Sequence, residues 1–152
     1  MAARLLILLA LVVAVALPAA PAAGQEAPNP PEASIVDGSA QRALDQARAR
    51  WKAARIGSYR YEARRICFCP TSGWHTVNVR NGAPSKNVHS EVKDIATVPR
   101  LFRQIQRAID AHAHELTVIY GAHGVPKKVW IDTYENVIDE EQYFTVRGFR
   151  RR

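Results

Sequence analysis

From Ser39 onward the spacing of apolar positions switches between steps of three or four and steps of two, and each switch marks an element. Ala40, Leu44, Ala47, Trp51 and Ala54 draw one apolar stripe with Gln41, Arg42, Asp45, Arg48, Lys52 and Arg55 opposite. This spacing predicts an amphipathic helix capped by Ser39 and ended near Gly57, with Trp51 as its anchor in the core. From Tyr59 the period becomes two: Tyr59, Tyr61, Ala63, Arg65, Cys67 and Cys69 share one face, and Arg60, Glu62, Arg64, Ile66 and Phe68 the other. That is a strand stopped by Pro70. A second strand, Trp74 to Arg80, runs into Asn81-Gly82, a hairpin turn pair suited to positive φ at both positions. A third, weaker strand falls within Ala83 to Val92, where Pro84 and the polar Ser85, Lys86 and Asn87 predict a sheet edge.

Thr97 is placed to cap a second helix with Pro99 in its first turn, burying Leu101, Phe102, Ile105, Ala108, Ile109 and His112. Strands are predicted over Glu115 to Tyr120, Lys127 to Thr133 and Glu141 to Phe149. The element order is α-β-β-β-α-β-β-β. Short connections between successive strands require antiparallel pairing, so the fold class is α+β: a single antiparallel sheet of about five to six strands with two helices on one face.

Ahead of this domain, Arg4 precedes an apolar run from Leu5 to Leu17, followed by small residues including Ala20 and Ala22. The arrangement predicts a signal peptide over residues 1–24, cleaved between Ala22 and Gln25, on a protein exported to a periplasmic or extracellular location. Residues 25–38, rich in Pro, Ala, Glu and Asn, read as a disordered spacer, and residues 39–150 as one α+β domain. Cleavage leaves no membrane-spanning segment and about 128 residues, enough for one core. The formal charge of +7 includes Arg4, so the mature chain carries +6. A basic exported chain meets an anionic envelope or extracellular partner rather than nucleic acid.

The only thiols are Cys67 and Cys69, and an oxidising compartment favours a disulfide between them. Two residues of extended strand separate Cα atoms by about 6.6 Å, near the limit for a bridge, and a three-residue loop contributes only about 1.6 kcal/mol of chain entropy before strain. Such a bridge is a weak staple and easily reduced, which leaves a redox role open. The same pair with His75 makes a candidate Cu or Zn site, although no second ligand pair at zinc-site spacing accompanies it. His112-Ala113-His114-Glu115 lacks the spacing of a zincin motif, and His112 reads instead as a hydrogen-bonded core residue. Asp132, Asp139, Glu140 and Glu141 surround the last turn without the spacing of a Ca²⁺ loop. No nucleophile, oxyanion site or phosphate loop accompanies these carboxylates, so the chain does not read as an enzyme. Arg60, Arg64, Trp74 and Trp130 remain as a candidate binding surface, provided the helices leave their face of the sheet open.

Several of these stretches together resemble a known family: Ala43-Leu44 through Trp51, Tyr59-Arg60-Tyr61, Cys67-Phe68-Cys69-Pro70, Val77-Asn78-Val79-Arg80-Asn81-Gly82, Thr97-Val98 with Leu101-Phe102, and Gly124-Val125-Pro126 ahead of Ile131-Asp132 and Asp139-Glu140-Glu141. The order of motifs, from about Gln41 to Phe149, is similar to the bacterial exported domain-of-unknown-function family six-one-seven-four. The resemblance implies a small exported or lipid-anchored protein with no assigned activity; apart from the candidate Cu or Zn site, no cofactor is expected. The segment from about Asn87 to Ala96 is shorter here than is usual in that family. The reading is a non-catalytic binding or envelope-associated module; the alternative is a thiol-dependent metal-binding or redox protein built on Cys67 and Cys69.

Overall fold

The computed structural model of the chain describes residues 32–66, 73–135, 137 and 140–152. Six strands form one antiparallel sheet: β1 (Tyr59–Ile66), β2 (His75–Arg80), β3 (Ala83–Pro84), β4 (Glu115–Tyr120), β5 (Pro126–Asp132) and β6 (Gln142–Arg151), in the order β3-β2-β1-β6-β5-β4. The helices are α1 (Ala33–Val36), α2 (Ser39–Ala54) and α3 (Val98–Asp110), with a 3-10 helix at Ser90–Ile95 and a 3-10 turn at Ala122–Gly124. The α+β class and the single sheet match the sequence expectation. Among the described residues no helix is long and apolar enough to cross a membrane.

One sheet face is covered. Tyr59, Tyr61 and Ala63 of β1, Val77 and Val79 of β2, Val129 and Ile131 of β5, and Phe144 and Val146 of β6 are buried against Leu44 and Ala47 of α2 and Leu101, Ile105 and Ala108 of α3. Two tyrosines in this layer also carry polar duty. The Tyr61 hydroxyl donates to the Ile95 carbonyl, and the Tyr59 hydroxyl accepts from the Val98 N–H at 3.0 Å, so β1 holds both the 3-10 helix and the start of α3. Thr97 caps α3 as expected, its hydroxyl accepting from the Arg100 N–H at 3.2 Å.

Several boundaries differ from the sequence reading. Residues of the segment assigned to the spacer pack on the domain: the Glu32 carboxylate accepts the Leu116 N–H at 3.0 Å, and Ile35 of α1 joins the core. Ser39 lies within α2; the cap residue is Gly38, and Asp37 accepts the Ser39 N–H. Arg55, not Gly57, takes the left-handed position that ends this helix, with φ 49°. His112 is exposed rather than in the core, because α3 stops at Asp110 and a left-handed turn at His112 (φ 51°) inserts Ala113 instead.

Two glycines hold left-handed positions that shape the sheet and its packing. At Gly124 (φ +78°) a Cβ would lie 2.1 Å from the Ala47 carbonyl oxygen, so only glycine lets the turn after β4 rest on α2. At Gly148 (φ +61°) β6 bulges, and its pairing with β1 shifts by one residue between Glu62↔Arg147 and Arg60↔Arg150. Strict alternation from Phe144 and Val146 would send Phe149 outward. The bulge returns it to the covered side, where it packs on Tyr59 and Trp51 at ring-centroid distances of 5.4 and 6.0 Å, and turns Arg150 outward.

Candidate anion-binding face

Among the described residues no helix lies on the opposite face. Alternation along β1, β2, β5 and β6 places Arg60, Glu62, Arg64, Thr76, Asn78, Arg80, Lys128, Trp130, Tyr143 and Arg147 there. Trp74, just ahead of β2, lies beneath two guanidinium groups: Arg147 Cζ stands 3.7 Å from its ring centroid and Arg64 Cζ 5.0 Å. Arg147 is further fixed by its Nε, which donates to Glu62 Oε2 at 2.7 Å. Stacking on an indole together with a carboxylate pair restricts the rotamers open to the Arg147 guanidinium. Farther along, Trp130 pairs with Tyr143 at 5.9 Å, forming an aromatic patch on β5 and β6. All four residues proposed from sequence as a binding surface, Arg60, Arg64, Trp74 and Trp130, therefore share the uncovered face.

At the other end of β1 the charges are not balanced. Arg60 stands directly opposite Arg150 in the β1–β6 register, a like-charge cross-strand pair that is unfavourable when left alone. Arg60, Thr76, Asn78, Arg80, Ser85 and Arg152 line a shallow depression of about 490 Å³, and Arg60, Glu62, Gly148 and Arg150 line an adjoining one of about 200 Å³. Among the described residues no carboxylate forms an ion pair with Arg60, Arg80, Arg150 or Arg152. By contrast Arg65, one position from Arg64 but on the covered side, is neutralised by Asp94. Arg150 and Arg152 escape a sequence reading that ends the strand at Phe149; the run Arg150-Arg151-Arg152 after a glycine is the available clue.

The remaining candidates fall elsewhere. Cys67 and Cys69 lie outside the described residues, as does Asp139. Of the last turn's other acids, Asp132 and Glu140 both accept the Tyr134 N–H, which engages them in holding the turn. His75, the histidine offered as partner to the thiols, points its Nε2 at Glu91 Oε2 at 3.0 Å and stacks on His89 with centroids 4.0 Å apart.

A family model described as a family of unknown function, DUF6174, matches residues 43–151. The chain belongs to this family. No curated protein and no solved structure matches it. Membership of DUF6174 brings no activity with it, so the chemistry must be read from the chain's own side chains.

Proposed function

We propose that this protein is a non-catalytic binding module, exported after loss of residues 1–24, whose uncovered sheet face takes an extended anionic polymer. The observation that carries this reading is the direct Arg60–Arg150 cross-strand pair flanked by Arg80 and Arg152, with no carboxylate partner among the described residues. Arginine forks match phosphate and carboxylate oxygens in bidentate geometry, and anions set between them would relieve the repulsion the fold tolerates. These side chains span β2, β1 and β6, adjacent strands about 4.8 Å apart, which suits charges repeated along a chain lying across the strands. A flat bilayer cannot follow a depression on a sheet as a flexible polymer can.

Calorimetric titration of the purified protein with inorganic polyphosphate tests the reading. Binding is expected, weakening with salt at a log–log slope steeper than about −2. The Arg60→Ala/Arg80→Ala variant should lose at least tenfold in affinity. Equal affinity in that variant, or stronger binding to phosphatidylglycerol vesicles than to polyphosphate, would overturn it.

A further inference from the structure

On the covered side of β2, at the end remote from Arg80, three side chains of metal-binding type converge. His75 opens β2; His89 and Glu91 bracket the start of the 3-10 helix, and their coordinating atoms with that of His75 all lie within 4.8 Å of one another. Sequence separation hides this trio. It forms because the 3-10 helix is tied to β1 by Tyr61 and by the Arg65–Asp94 pair, while His75 lies across from Ala63 on the neighbouring strand.

We infer that His75, His89 and Glu91 form a site for one divalent transition-metal ion, with zinc as the representative cation. Two imidazoles and a carboxylate are a ligand set suited to zinc with one further position for water. His75 Nε2 and Glu91 Oε2 already face each other at 3.0 Å, close to the spacing of about 3.3 Å that two ligands adopt around a tetrahedral zinc with bonds near 2.0 Å. The metal takes the place of the proton between them, and that proton passes to solvent. His89 Nδ1 accepts the Glu91 N–H at 3.4 Å, so its single in-plane lone pair is engaged in that cap, and coordination through Nδ1 exchanges the cap bond for the metal bond. His89 is exposed, so its ring can rotate out of the stack with His75 to complete the site. His75 and Glu91 are half-buried, which holds the other two donors in place. The site is independent of the arginine face: it lies on the other side of the sheet and about 16 Å along β2 from Arg80.

The test is calorimetric titration of the purified protein with zinc chloride, paired with the absorption spectrum of the cobalt(II)-loaded protein. One equivalent of zinc is expected, with affinity reduced at least tenfold in His89→Ala and in Glu91→Gln and unchanged in Cys67→Ser/Cys69→Ser. The cobalt spectrum should lack a thiolate charge-transfer band, a readout on the unaltered protein that does not depend on any variant folding. Absence of zinc binding would overturn the assignment. So would a thiolate band, or loss of binding in the double cysteine variant with none in His89→Ala. Polyphosphate affinity should be the same in His89→Ala as in the unaltered chain.

Discussion

The two faces of the sheet are made by the same strands, yet they spend their side chains differently. On the covered face most positions of β1, β2, β5 and β6 are apolar, and several polar groups there have internal partners: Tyr59 and Tyr61 backbone groups, Arg65 the Asp94 carboxylate. On the open face Arg60 and Arg150 confront each other with no such settlement. Folding explains the first arrangement completely. It does not explain the second, a like-charge cross-strand pair that is unfavourable in the free protein, and the proposed anion-binding role rests on that pair.

Substitutions should separate the faces sharply, beginning with the largest loss. Phe144, 1% exposed in the centre of the covered layer, should cost about 3–5 kcal/mol as Phe144→Ala in urea unfolding; a loss below about 1 kcal/mol would mean the core lies elsewhere. Tyr61→Phe removes the donor to a buried carbonyl and should cost about 1–3 kcal/mol, measured the same way. The covered layer should also reveal itself in alkali. Burial raises the phenol of Tyr59, raises that of Tyr61 well above the ordinary range, and pushes Tyr120 up to about 12. Each stays neutral longer folded than unfolded, so their contribution is fully present below about pH 10 and is lost as pH climbs toward 12. Spectrophotometric titration should show these phenols ionising late, together with a falling unfolding midpoint; a midpoint flat across that window would contradict their burial.

Open-face changes should be small for stability and large for binding. Trp74→Ala frees Arg147 and Arg64 from the indole and should cost about 1 kcal/mol of stability, with polyphosphate affinity reduced because the guanidinium groups are no longer held. Arg60→Ala should leave stability within about 0.5 kcal/mol, on the stabilising side since it removes a like-charge contact, while weakening polyphosphate binding. An Arg60→Ala that destabilises as much as Tyr61→Phe would erase the distinction between the faces.

Much of this was legible from periodicity alone. The α2 and α3 stripes, the Asn81-Gly82 turn and the inward set Tyr59, Tyr61 and Ala63 follow from local spacing, because an element that must bury one face writes its period into the chain. The shared face of Arg60, Arg64, Trp74 and Trp130 was legible only in part, since alternation assigns sides within each strand but not which side the helices cover. Three things depended on the assembled structure. The bulge at Gly148 reverses the parity of β6, carrying Phe149 inward and Arg150 out, and a one-residue register shift has no local period to announce it. His112 left the core because the chain turned left-handed two residues after α3, a choice set by which residue fits beneath the sheet. His75, His89 and Glu91 meet because the 3-10 helix is clamped to β1, and contacts between residues distant in sequence are decided by packing rather than by any pattern along the chain.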